Sequence, residues 1–308
     1  MHFPPRARTL AVRILRMGFI TCLSSLVPAM SEARIVLVPE APVTLVRNVS
    51  IFEVDAPIDV LPGDILTTSP QKGGAQLKDD SGTLVELGVA THVALGDGRT
   101  VSRSDGLTAL SLLSGWVKVA RVAAVSPSDP MRIATPALQL SLQPGSVVID
   151  ATTAATSVYV ETGAVDASLP DMPERRTAPH ELTTDQFAQR QLGRPIQQAG
   201  RPSPEFVSRL PVIFRDPLRP LQHAPIQNLA AAQGHQATYN EISEWLTSSL
   251  PLRTTFVPRF RSLLHVKPFR TLVEQHVSDL PEWRRVLYPK KTWVPRPARY
   301  ARPEKDAS

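Results

Sequence analysis

Between Val43 and Ser168, apolar and polar residues alternate in short runs. Leu138, Leu140 and Leu142 alternate with Gln139, Ser141 and Gln143. Val158 and Val160 alternate with Tyr159 and Glu161, and Val117 and Val119 flank Lys118. A period of two puts one set on a buried face and the other in solvent. That pattern assigns Lys118 to the solvent side. Glycines interrupt the runs, among them Gly63, Gly74, Gly82, Gly98, Gly115, Gly145 and Gly163. Most intervals fit the ~8–12-residue rhythm of short strands joined by turns. Lys78-Asp79-Asp80-Ser81-Gly82-Thr83 lies between two apolar runs and predicts a hairpin turn, with Gly82 supplying a positive φ. The expectation is about ten strands in a β-sandwich or β-roll.

Past Pro170 the alternation stops. Prolines 170, 173, 179, 195, 202 and 204 leave room for one short helix around Thr183–Leu192, so residues 171–203 are expected to form a proline-rich linker or a strap packed on the sheets. From 204 to 288 the spacing becomes helical. Ser203-Pro204-Glu205 is a helix start, with a capping serine and a proline in the first turn. Thr238 and Glu241 form a capping-box pattern ahead of Ile242, Trp245 and Leu246. Further helices are expected over Leu252–Leu264 and Lys267–Ser278, and a last turn from Pro281 to Leu287. In the second of these, Phe269, Leu272, Val273, His276 and Val277 share one face. Residues 289–308 are basic and proline-rich and are expected to be disordered. The fold class is therefore mainly β, with a small helical C-terminal region.

Composition changes this picture at three points. Proline accounts for 30 of 308 residues, about twice the usual ~5%, which argues against long helices. Residues 1–33 read as a secretory signal. Arg6, Arg8, Arg13 and Arg16 precede an apolar run from Met17 to Val27, which is shorter than the ~20 residues a membrane span needs, and Ser31-Glu32-Ala33 offers a cleavage site. Cys22, the single cysteine, falls inside that signal, so the mature chain is expected to lack disulfides and thiol chemistry. Charge divides the chain. Residues 34–170 carry nine basic and 14 acidic side chains, and residues 201–308 carry 17 basic and nine acidic. An exported chain of this kind points away from nucleic acid. It points toward an anionic envelope polymer, an envelope protein complex or peripheral contact with a membrane surface.

Five segments resemble the FecR-like domain family. Leu61-Pro62-Gly63-Asp64-Ile65-Leu66-Thr67-Thr68 is similar to its turn-and-strand motif. Ala75–Leu87 is similar to its strand, Asp-Gly turn and strand. Leu112-Leu113-Ser114-Gly115-Trp116-Val117, Ile133-Ala134-Thr135-Pro136 and Val158–Val165 follow in the family's order. The resemblance spans about Val43–Ser168, and it departs from the family at Gly145-Ser146, where a Gly-Thr pair is usual. It implies a β-rich extracytoplasmic module used in signalling or binding, without catalytic residues. The family's best-known members regulate sigma factors through a cytoplasmic segment ahead of a membrane helix. Only about 16 residues precede the apolar run here, too few to fold alone.

Known catalytic signatures are absent from the sequence: there is no G-x-S-x-G, H-E-x-x-H, P-loop or G-x-G-x-x-G. Asp79 and Asp80 sit in a predicted turn, where aspartate serves local hydrogen bonding. The expectation is a non-enzymatic periplasmic or cell-envelope protein with no cofactor and no metal. The alternative is a periplasmic glycan hydrolase using an unrecognised carboxylate pair on the β domain. Trp245 and Trp283 fit core positions. A rival arrangement would gather Phe214, Arg215, Arg259, Arg261, Arg284 and Arg285 into one exposed aromatic-and-arginine surface. Arg284, Arg285, Lys290, Lys291, Trp293 and Arg296 are the candidate partner contacts, because aromatics interleaved with like charges exceed what solubility requires.

Overall fold

The computed structural model describes residues 34–98, 106–123, 129–170, 178–229 and 233–289. The signal-like leader and the basic tail, with Lys290, Lys291, Trp293 and Arg296, lie outside them. The first eight strands are β1 (Ile35–Pro39), β2 (Val43–Arg47), β3 (Ser50–Val54), β4 (Ile58–Val60), β5 (Ile65–Thr68), β6 (Ala75–Asp79), β7 (Leu84–Leu87) and β8 (His92–Leu95). A long strand, β9 (Ala109–Arg121), follows. After it come β10 (Met131–Ala134), β11 (Gln139–Leu142), β12 (Gly145–Ala151), β13 (Ala155–Thr162), β14 (Ala164–Ser168), β15 (His180–Thr183), β16 (Phe187–Gln191), β17 (Gln197–Ala199) and β18 (Gly234–Gln236).

Two layers arise because β9 belongs to both. Its C-terminal half pairs with β7 and β12 in a first layer ordered β4-β1-β6-β7-β9-β12-β13-β16-β17. Its N-terminal half pairs with β8 and β10 in a second layer ordered β18-β3-β2-β5-β8-β9-β10-β11-β14-β15. Every neighbour is antiparallel except β9 with β10. The chain crosses between layers at Gly115. Its φ is +103°, and a Cβ there would come within 2.5 Å of the Thr91 Cα, so only glycine fits the bend.

The alternating runs account for the space between the layers. Leu138, Leu140, Leu142, Val158, Val160, Val117 and Val119 are all buried in one inter-layer core, together with Leu37, Leu45, Leu77 and Val85. At roughly 1.5–3 kcal/mol for each large side chain removed from water, this core is the main source of stability. The Asp79–Thr83 hairpin forms as expected, with Gly82 at φ +84°.

Residues 180–199 are a correction. Where a helix is expected over Thr183–Leu192, the chain instead leaves β15, which pairs with β14 in the second layer, and enters β16, which pairs with β13 and β17 in the first, so both layers are extended. Pro170, Pro179 and Pro195 fall outside the strands, where they remove no ladder hydrogen bond. Residues 180–199 are thus part of the sheets.

Each layer's outer face is then covered by later chain. On the first layer, α1 (Pro204–Arg209), capped by the Ser203 hydroxyl, packs Phe206 against Phe187 and Trp116, and Phe214 is fully buried beside them. On the second layer lie α2 (Tyr239–Leu246), α3 (Phe256–Phe260), α4 (Lys267–Gln275) and α5 (Arg284–Leu287). Short 3-10 turns flank α3 and precede α5, so the helix expected over Leu252–Leu264 is broken into pieces. Trp245, Phe256, Phe260, Phe269 and Trp283 pack there on Val46, Ile65 and Leu113. The capping box of Thr238 and Glu241 starts α2.

Candidate functional site

The sequence-predicted contacts begin on α5. Trp283 and Leu287 are buried, as a helical period requires, and this turns Arg284, Arg285, Val286 and Tyr288 outward. Tyr288 is 60% exposed. The nearest acid in sequence, Glu282, is held by the Arg253 guanidinium, which also donates to the Asp279 carbonyl. Among the described residues, neither Arg284 nor Arg285 forms an ion pair, so their charge is uncompensated where the chain runs on toward the basic tail.

The wider arginine and aromatic surface does not assemble. Phe214 is buried on the opposite layer. Arg259 is partly buried and lies over the Phe260 ring, its centroid 4.8 Å away. It donates to the carbonyls of Asn48 at 2.7 Å, Gly63 at 2.6 Å and Val46 at 2.9 Å. Burial lowers its pKa to about 10, against an opposing pull from Asp64. It is a clamp between helices and sheet.

The aspartates of the motif segments also have structural tasks. Asp64 is buried and accepts from Arg47 and from the Leu61 N–H at 2.8 Å. Asp79 accepts from the Ser81 N–H at 3.0 Å and the Thr83 N–H at 2.9 Å, and its other oxygen takes the Leu107 N–H at 2.9 Å. These bonds engage both carboxylates and hold the turns, as the turn reading expects.

Sequence reasoning missed a second group, beneath the strap of residues 211–221. Lys118, expected in solvent, is only 1% exposed. Its Nζ donates to Glu161 Oε1 and the Phe214 carbonyl, both at 2.8 Å, and to the Asp216 carbonyl at 2.9 Å. Alternation placed Lys118 on the outer face correctly, but nothing in it indicated that residues 212–216 would cover that face. Beside it, Gln76 Nε2 donates to Glu86 Oε2 and to the Arg219 carbonyl, each at 3.0 Å, while its Oε1 accepts from Leu221 N at 2.8 Å. Glu86 is 5% exposed, and burial raises its pKa to about 7 against the opposing Gln76 bond.

No family model matches the chain, and no curated protein matches it. Two crystal structures of a putative anti-sigma factor from Parabacteroides distasonis ATCC 8503 are similar to part of it, at 16% and 15% sequence identity and a TM-score of 0.35 each. Each alignment covers 44% of this chain and 59% of that chain, so this protein matches less than two thirds of its length.

Proposed function

We propose that this is an exported, non-catalytic FecR-like protein of the cell envelope, a binding or scaffolding module that engages an anionic envelope component through its basic C-terminal end. The observation that carries the reading is α5, which buries Trp283 and Leu287 and presents Arg284, Arg285 and Tyr288 outward while Arg253 occupies Glu282. Export is supported by the leader-like sequence and by the position of β1. That strand starts at Ile35, so removal of residues 1–33 leaves every described strand in the chain. A non-catalytic role is supported by Asp64 and Asp79, whose carboxylates are committed to their own turns.

Retention on isolated cell walls and membranes tests the reading. The wild-type chain is compared with a double variant, Arg284→Glu with Arg285→Glu, and with a chain ending at Pro289. Wild type is expected to be retained at 0.1 M salt and released at 1 M, as the Debye length falls from ~10 to ~3 Å. Both altered chains are expected to bind at least several-fold less. Equal retention of all three, or retention indifferent to salt, contradicts the reading. The cut belongs at Pro289, because Leu280, Trp283 and Leu287 are core residues.

A further inference from the structure

A cavity of about 490 Å³ opens on the first layer's outer face, between the sheet and the strap. Glu40, Glu86 and Asp216 line it together with Arg219, and Ile213, Leu218 and Leu221 are apolar neighbours. Among the described residues, Glu86 Oε1 is the buried side-chain oxygen that has no hydrogen-bond partner. A buried carboxylate oxygen left unpaired is costly, so its persistence calls for an explanation.

The surrounding donors explain why nothing in the chain fills it. Glu86 lies directly between Gln76 on β6 and Lys118 on β9 in the strand register. An opposed lysine is the natural partner of a glutamate across a sheet. Lys118 instead directs three bonds to Glu161 and to the strap carbonyls of Phe214 and Asp216, which exhausts its three donors. Gln76 likewise divides its two N–H groups between Glu86 Oε2 and the Arg219 carbonyl. Gly74 adds no side chain at this point. Its N–H binds Glu40 Oε2 at 3.1 Å, and a Cβ on it would lie 3.5 Å from Glu86 Oε1. One carboxylate oxygen, itself shielded from solvent, is therefore left unpaired in the wall of a cavity whose rim carries two further carboxylates and Arg219.

We propose that this cavity binds a primary alkylammonium group, with the Glu86 carboxylate turning its unpaired oxygen to accept an N–H, Glu40 and Asp216 supplying counter-charge, and the alkyl chain lying on Ile213, Leu218 and Leu221. A bare metal ion suits the cavity less well. Among the described residues, no three His, Cys, Asp or Glu side chains converge to hold one. An ammonium needs fewer acceptors and no fixed coordination shell, and its charge-assisted bonds are the strong kind. This site lies on the first layer and is independent of the basic end on α5, so either can fail alone.

The test is titration with n-butylammonium and 1,5-diaminopentane, followed by calorimetry and by ligand-observed NMR. Tetramethylammonium, which carries the charge without an N–H, is the control. Saturable binding of the two amines at pH 8 is expected, with tetramethylammonium at least about tenfold weaker, the loss of one charge-assisted hydrogen bond. Glu86→Gln keeps the shape and is expected to weaken the amines about tenfold as well. Glu40→Gln, at an exposed position, is expected to weaken them several-fold and serves if the buried variant misfolds. The charged groups on the packed elements are Glu40, Lys118, Glu161, Asp216 and Arg219; of these, Glu40 raises the Glu86 pKa. Affinity is expected to rise about tenfold from pH 6 to pH 8 as Glu86, with its pKa near 7, ionises. Equal affinity for tetramethylammonium, unchanged binding in the Glu86→Gln and Glu40→Gln variants, or no saturable binding at tens of millimolar amine would mean a hydrated carboxylate only, and overturns the proposal.

Discussion

The two outer faces of the sandwich are covered in different ways. The second layer carries α2 to α5 on a continuous apolar contact in which Trp245, Phe256, Phe260, Phe269 and Trp283 are buried. The first layer carries a small aromatic cluster around Phe206 and Phe214, and its remaining cover, residues 215–221, is held by Lys118 and Gln76. Apolar burial stabilises without direction and scales with area, whereas a buried ammonium or amide contributes only while every donor is matched. The helical cover is thus part of the folding core. The strap is a polar clasp, and it is the cover beneath which a buried carboxylate oxygen is left unpaired.

Substitutions on the two faces should separate these roles. Trp283→Ala on the helical side should destabilise the whole chain by about 3–5 kcal/mol, read as one cooperative denaturant transition shifted to lower concentration. Lys118→Met keeps the aliphatic volume but leaves two carbonyls and Glu161 without their donor. It should lower stability by about 2–3 kcal/mol and sensitise residues 211–221 to proteolysis while the sandwich remains folded. If Lys118→Met instead unfolds everything as Trp283→Ala does, the two faces are equivalent and the distinction fails.

Glu86 gives the most specific signature. Its folded-state pKa, about 7, is above the ordinary 4.5, so between those values the folded chain holds a proton that the unfolded chain releases. Stability should therefore fall as pH rises from 4.5 to 7 and level off above it. Glu86→Gln should remove that slope, raising stability at pH 8 by up to about 3 kcal/mol and leaving it unchanged near pH 4.5. Chemical denaturation across this pH range is the measurement, and parallel curves for the two proteins would count against a buried, titrating Glu86.

What the sequence made legible followed from local rules. Period-two runs placed Leu140 and Val158 in the inter-layer core, the Asp79-Asp80-Ser81-Gly82 turn segment placed the β6–β7 hairpin, and the pairing of Thr238 with Glu241 placed the start of α2. Two kinds of information were out of reach. The proline-bearing stretch before α1 forms β15 to β17 because neighbouring strands offer ladder partners, and that tertiary context overrides local propensity. Alternation also tells which side of a sheet a residue faces but not what lies over that side. The burial of Lys118 is completed by Phe214 and Asp216, nearly a hundred residues downstream. The outward placement of Arg284 and Arg285 on α5 was legible because a single helical turn decides it.

Native-state hydrogen exchange compares the two covers most directly. The strap amides of Phe214, Arg215 and Leu221, bonded to Pro211, Val212 and Gln76, should exchange through local opening, with a free energy well below that of global unfolding and little dependence on denaturant. The amides of Arg270, His276 and Trp283 in the helical cover should exchange only with global unfolding and share its denaturant slope. Strap amides protected to the global limit, or helical amides opening as readily as the strap, would contradict the view that one face is core and the other a clasp.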